Sequence, residues 1–363
     1  MALDPAFAVA WAEVSASSAV LYSNSVPSPE VSERARKAAE KSIALAPAQP
    51  DGYRALGTYY RLVAGDPVRA LPEYEKALRL SPGRPDLIRG VALAESSLGK
   101  SNEAIEHLRQ ALRLDPRFAS STLGERLLRL HRTGEAREEL ERVLSLVPTN
   151  LFAIECLAMT YLTEGDIPGA RAALARAGKA VEPDALVAYL SNYYDLVWVL
   201  DPGQTEILRR LTPVAFDDNF AAWAIGQAQT RRFSGDSSGA RTYADQARQA
   251  LEEQLRSTPD DPQLRSAHGL MLAYLGRKDE ALREGERGVA LGGPERDAQN
   301  GPYMLHQLVR IEIEIGEHEK AIDHLEQLLK IPYNLTPAWL KIDPNFDPLR
   351  KNPRFQKLVA AGK

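Results

Sequence analysis

A recurrence of about 34 residues restricts this chain to architectures that grow by repetition. Ala77–Pro82 reads ALRLSP, and Ala111–Pro116 reads ALRLDP, 34 residues later. The tripeptide Leu-x-Pro ends at Pro47, Pro82, Pro116 and Pro148, spacings of 35, 34 and 32 residues. Small residues keep step with it. Gly57, Ala92, Ala158 and Gly269 fall in the first half of their units, and Ala77, Ala111, Ala177 and Gly288 near the end. Between the halves lie Gly65-Asp66, Gly99-Lys100, Gly165-Asp166 and Gly276-Arg277, which predict turns. Each unit therefore reads as two antiparallel helices, held close by small residues and stopped by proline. One such pair cannot bury its apolar stripe alone, so stacking is obligatory.

The stretch Tyr53-x-x-Leu56-Gly57-x-x-Tyr60, followed by Ala70, Tyr74, Ala77 and Pro82, resembles the tetratricopeptide-repeat (TPR) motif. Pro85–Pro116, with Ala92, Gly99, Ala104, Leu108 and Ala111, fits it without insertion. The resemblance implies an all-α fold, an α-α superhelix of about nine helix pairs with a C-terminal cap. The pairs are expected at 5–47, 50–82, 85–116, 117–148, 149–182, 183–213, 219–256, 262–292 and 297–332. The organisation expected from them is a regular array over 1–182, a degenerate aromatic-rich pair over 183–218, three further pairs over 219–332, and a cap over 333–363. In the sixth pair Asp184–Leu200 is read as one helix carrying Tyr189, Tyr193, Tyr194 and Trp198, and as a kink or an association surface.

The closing segment Pro337-Ala338-Trp339-Leu340-Lys341-Ile342-Asp343-Pro344-x-Phe346-Asp347-Pro348-Leu349-Arg350, then Asn352-Pro353-Arg354-Phe355, is similar to the ends of TPR regions in certain bacterial signalling proteins. In those proteins the repeats follow a Ser/Thr kinase, winged-helix activator or cyclase module. The opening Leu3-Asp4-Pro5 reads like the tail of a preceding repeat. Together these features predict the regulatory or sensory part of something larger.

Composition narrows the function. Charged residues make up 26% of the chain and the net charge is −4, without a basic block, so nucleic acid is not an expected partner. No apolar run reaches the roughly 18 residues of a membrane span, and no signal peptide is evident. A cytoplasmic location is expected, or an extracytoplasmic one if the chain is tethered to a membrane-spanning sensor. Cys156 stands alone, between apolar neighbours, and reads as a small core residue.

Motifs that could carry chemistry lack the context they need. Gly235-Asp236-Ser237-Ser238-Gly239 matches a nucleophile elbow in letters, but a helix and not a strand precedes it. Gly99-Lys100-Ser101 lacks the earlier glycine of a phosphate-binding loop. His318 and His324 are six apart and project from different helix faces, unlike a paired-histidine zinc site. Asp217-Asp218 and Asp260-Asp261 precede helices and read as caps. No enzyme, metal site or cofactor is expected.

In TPR proteins the first helix of each pair lines a concave groove. Carried over by motif match, the groove positions here are Asp51, Arg54, Thr58, Arg61, Asp86, Arg89, Ser96, Phe152, Glu155, Met159, Asn192, Asp195, Arg231, Tyr303, His306 and Arg310. The set leans basic in the first half, which suits a polypeptide partner with acidic side chains. The positions of the carboxylate clamp found in chaperone-binding repeats hold Ala12, Ala16, Arg54, Thr58, Arg89 and Leu93, so that specialised mode is excluded. The function expected is a non-catalytic interaction scaffold, with homodimerisation through the aromatic middle as the alternative.

Overall fold

In the computed structural model, the residues described are 6–24, 28–117, 121–177, 179–192 and 195–360. Every regular element among them is helical: twenty α-helices and three 3₁₀ turns. None of the helices is long and apolar enough to cross a membrane.

The helices come in the expected pairs. They are α1 (Ala8–Asn24) with α2 (Pro29–Leu45), α3 (Pro50–Leu62) with α4 (Pro67–Leu80), and α5 (Pro85–Ser97) with α6 (Ser101–Leu114). Next come α7 (Thr122–Arg129) with α8 (Thr133–Leu146), and α9 (Leu151–Leu162) with α10 (Ile167–Ala177). The sixth pair is α11 (Pro183–Asn192) and α12 (Pro202–Arg210), each followed by a 3₁₀ turn, Leu196–Val199 and Pro213–Phe216. Then follow α13 (Phe220–Phe233) with α14 (Ser237–Ser257), α15 (Pro262–Tyr274) with α16 (Lys278–Gly292), and α17 (Gly301–Ile315) with α18 (His318–Leu328). The chain closes with α19 (Pro337–Ile342), a 3₁₀ turn at Pro344–Leu349, and α20 (Pro353–Ala360).

Local chemistry sets these boundaries. Helices α2, α4, α6 and α8 all stop at the leucine of Leu-x-Pro. Proline sits in the first turn of α3, α4, α5 and α15, where its missing N–H costs nothing. Asp66, Asn150, Asn219, Asp236 and Asp261 cap α4, α9, α13, α14 and α15 with side-chain oxygens. Asp261 thus caps as expected, whereas Asp217 and Asp218 take left-handed backbone (φ 53° and 60°) and leave the α13 cap to Asn219. The turns inside six pairs use Gly65, Gly99, Gly165, Gly235, Gly276 and Gly316, all at positive φ. A side chain would be strained there. Gly235 is therefore a turn, and the elbow-like motif around it starts a helix.

Two compact units result. The first comprises residues 1–118 with the short segment Asp297–Gln299, the second Ala119–Arg296 with Asn300–Lys363. Within the first, α1 to α6 stack pair on pair, with first helix against first helix. Tyr74 of α4 lies buried between α3 and α5, and a Cβ added at Gly57 or Gly90 would fall 3.0 or 2.5 Å from its ring. The same device recurs in the second unit, where Ile311 of α17 fills the space left by Gly269 and Gly285.

The sixth pair departs from expectation. Asp184–Leu200 is not one helix: α11 ends at Asn192, and Asp195 turns the backbone into the left-handed region (φ 55°). Tyr193 and Tyr194 lie outside the described residues. Trp198 is half-buried, edge-on to Trp339 with centroids 6.1 Å apart. In the seventh pair α14 runs 21 residues, against 14 in α4, α6 and α8.

Candidate functional site

In the first unit, α3 presents Asp51, Arg54, Thr58 and Arg61, and α5 presents Asp86 and Arg89. All six are partly exposed. Ser96 is buried and donates back to the Ala92 carbonyl (2.8 Å), so it is not a surface contact. The acids are spoken for: Arg84 pairs with Asp51 (2.8 Å) and Asp86 (2.7 Å), and Arg54 bridges Glu13 of α1 and Asp86 (3.8 Å). The Thr58 hydroxyl lies 3.0 Å from the Tyr74 hydroxyl. That leaves Arg61 and Arg89, which have no carboxylate within ion-pair distance among the described residues. Burial, and then the repulsion of Arg61, push the Arg89 guanidinium below its ordinary value. A pair of cations without counter-ions is a place for an anion.

The second unit treats the corresponding positions differently. Asp195 is the centre of a buried network: Arg310 lies 2.7 Å away, and Gln229, Tyr303 and Gln307 donate at 2.9, 2.9 and 2.7 Å. Burial pushes this carboxyl up, but Arg310 and the three donors together hold it below the usual carboxylate range. Glu155 is fully buried on α9, and neither carboxylate oxygen has a hydrogen-bond partner among the described residues. Burial, and the charges of Asp195 and Glu125, raise its pKa well above normal. Burial drives His306 down to about 3, so the imidazole is neutral. Met159 is buried, Phe152 half-buried and Asn192 exposed. Arg231 turns to the other side, stacking on Tyr243 of α14 (4.1 Å) and bonding Gln227. Glu155, Met159, His306 and Arg310 therefore do not line an open groove.

The C-terminal segment covers His306 and packs on α9. The Tyr333 carbonyl accepts from His131 Nε2 (2.8 Å), its hydroxyl shares a hydrogen bond with His306 Nδ1 (3.0 Å), and Arg129 lies over its ring. Thr336 Oγ1 donates to the Thr163 carbonyl (2.7 Å), and Phe346 stacks on His306 at 6.0 Å. Beyond it, Arg354 of α20 reaches Glu319, Asp323 and Glu326 of α18, in the last pair, at 2.7–3.0 Å. The part before α20 does more than cap, and only the three-dimensional path of the chain reveals that.

The lone thiol, Cys156, is fully buried, and burial pushes its pKa well up, so it is a core side chain. No group of three or more metal-ligating side chains gathers among the described residues.

These features define a protein of stacked antiparallel helix pairs. The tetratricopeptide repeat family profile matches residues 91–118, which span most of α5 and α6. A protein CTR9 homolog of Arabidopsis thaliana is 24% identical over 282 residues, 74% of this chain and 25% of that protein. The small glutamine-rich tetratricopeptide repeat-containing protein 2 of Mycosarcoma maydis is 35% identical over 83 residues, 22% of this chain and 24% of that one. The chain thus spans about a quarter of the length of these curated relatives. Among solved structures it is similar to MamA (18% identity, TM-score 0.37, 47% of this chain and 90% of that one). It is also similar to a chain of the Cut9–Hcn1 hetero-tetramer of APC/C (15% identity, TM-score 0.43, 82% and 54%).

Proposed function

We propose that this chain is a non-catalytic scaffold that binds polypeptide segments, and that the α3–α5 face of its first unit takes an acidic one. The observation that carries this reading is the pair Arg61 and Arg89, partly exposed on neighbouring first helices without counter-ions among the described residues, beside acids already neutralised by Arg54 and Arg84. An extended segment placing a carboxylate or phosphoryl group between them gains charge-assisted hydrogen bonds without first breaking an ion pair. The resemblance of the closing segment to bacterial signalling proteins supports a role as the regulatory arm of a larger protein of that kind. Trp198, one of the aromatics of the alternative self-association surface, is engaged by Trp339 of the same chain.

The test is titration of an acidic, fluorescently labelled peptide library against the chain and its Arg61→Glu/Arg89→Glu variant. The reading requires hits whose affinity falls at least about tenfold in the variant and weakens with added salt, as exposed charge pairs do. Equal binding by both proteins would remove this face from consideration. Arg54 is not a suitable target, because it ties α1, α3 and α5 together through Glu13 and Asp86.

A further inference from the structure

Two of the described non-glycine residues with positive φ make long-range polar contacts in the second unit: His131 and Asp195. His131 occupies the inter-helix turn of its pair, where six other pairs use glycine. Such strain in a residue with a side chain persists where something else holds it, and it clusters at ligand clamps. The side chain so placed reaches the main-chain carbonyl of Tyr333, 202 positions away.

The segment it holds behaves as a bound peptide does. Residues 331–336 form no regular element, and 337–342 make one short helix. It is held through one main-chain carbonyl, one aromatic hydroxyl, one threonine hydroxyl and an edge-on tryptophan pair. Tyr333, Leu335, Trp339 and Leu340 are buried; Tyr333 lies against Arg129 of α7, His131 of the following turn and His306 of α17, and the 337–342 helix packs on α9. The helices of this unit bury polar groups on α9, α13 and α17, unlike an ordinary helix-packing core. Both oxygens of Glu155, Nε and one terminal nitrogen of Arg310, Nε2 of His306 and Oε1 of Gln229 are buried without partners among the described residues. Native cores leave few such groups, and each calls for an explanation.

We infer that the α7–α9–α17 surface is a peptide-recognition groove carrying the chain's own residues 331–342 as its resident ligand. It accepts in exchange an extended polypeptide of the same pattern: an aromatic residue, Asn and a large apolar residue, then Thr-Pro, with tryptophan six positions after the aromatic. The exchange is local. The 3₁₀ turn and α20 stay on α17 and α18 through Phe346, Phe355 and Arg354. Tethering at both ends gives the resident segment a high effective concentration, so a free peptide competes poorly until that segment is weakened.

The experiment uses the full chain and a labelled synthetic peptide of sequence 331–343, followed by fluorescence anisotropy. Only the resident copy is altered, in a mild variant, Tyr333→Phe/Thr336→Val, and a severe one, Trp339→Ala. The inference expects weak binding by the parent chain. Apparent affinity should rise at least about tenfold in Trp339→Ala and by an intermediate factor in the mild variant. If Trp339→Ala melts the second unit, the peptide added in trans restores its thermal transition. Folded variants that bind no better than the parent, or a melted one that the peptide does not rescue, would overturn the inference and make 331–342 ordinary core. The peptide carries one lysine and one aspartate, with no net charge. Arg61→Glu/Arg89→Glu should leave its binding unchanged, which keeps this outcome separate from that of the first-unit site.

Discussion

The two units are built from the same helix pair, yet they use its first helix in opposite ways. In the first, α3 and α5 leave Arg61 and Arg89 partly exposed and unpaired. In the second, Glu155, Asp195, His306 and Arg310 are buried, and Tyr333 and Phe346 of the C-terminal segment lie on His306. Motif position therefore fixes which way a side chain points, but not whether it meets solvent. What the chain later lays over that face decides whether the same register yields a binding surface or a buried polar network.

The largest test of the contrast removes the covering. Truncation after Lys330 exposes the sites of Tyr333, Leu335, Trp339, Leu340, Phe346, Leu349 and Phe355, all buried. At about 1.5–3 kcal/mol each, the loss is roughly 10–20 kcal/mol, as large as the whole stability of a typical domain. The second unit should unfold or aggregate while hydrogen exchange in α3–α6 is unchanged. A soluble truncated chain with native protection in α9 and α17 would abolish the distinction.

Next in size is the network itself. Asp195→Ala leaves Arg310 buried without its counter-charge, and removing one partner of a buried pair typically costs about 3–5 kcal/mol. Denaturant unfolding should show that loss in the second unit alone.

Acid should act in the same direction through His306. Its folded pKa, about 3, lies below the ordinary 6.5, so between those values the unfolded chain binds the proton and the folded chain does not. Stability is thus lost as pH falls from 6.5 toward 3, at up to about 1.4 kcal/mol per pH unit. His306→Gln should flatten this part of the profile if the imidazole is its source. Glu155 has the opposite sign: its raised folded pKa makes the folded chain hold a proton that the unfolded chain releases, so stability falls as pH rises above the ordinary carboxyl value. Glu155→Gln should therefore stabilise the second unit at pH 8, by an amount on the order of 1 kcal/mol, and by less at pH 5. A thermal-melt series against pH measures both.

Much of the architecture was legible in the sequence because it is local and repeated. Leu-x-Pro marks helix ends, glycine marks turns, and the two recur in phase. The break after Asn192 was not legible, because Asp195 leaves the helix to reach partners on α13 and α17, up to 115 residues away in sequence. The covering of α9 was equally hidden: contacts such as Thr336 to Thr163 span 173 positions and have no periodic signature. A hint existed in Glu155, the single charge in an otherwise apolar α9, which marks a buried polar site more readily than a solvated face. The open face of the first unit was easier to read, since its residues answer only to neighbouring pairs.

Hydrogen exchange of the intact chain tests the contrast most directly. Leu340 and Asp343 donate to the carbonyls of Thr336 and Trp339, each at about 3 Å, and the Trp339 N–H donates to Thr336 Oγ1. If residues 333–343 fill the second unit's groove, these amides exchange as slowly as those of α9, and an acidic peptide that protects α3 and α5 leaves them unaltered. Exchange of the Trp339, Leu340 and Asp343 amides at the rate of an unstructured peptide, with α9 and α17 still protected, would contradict the account.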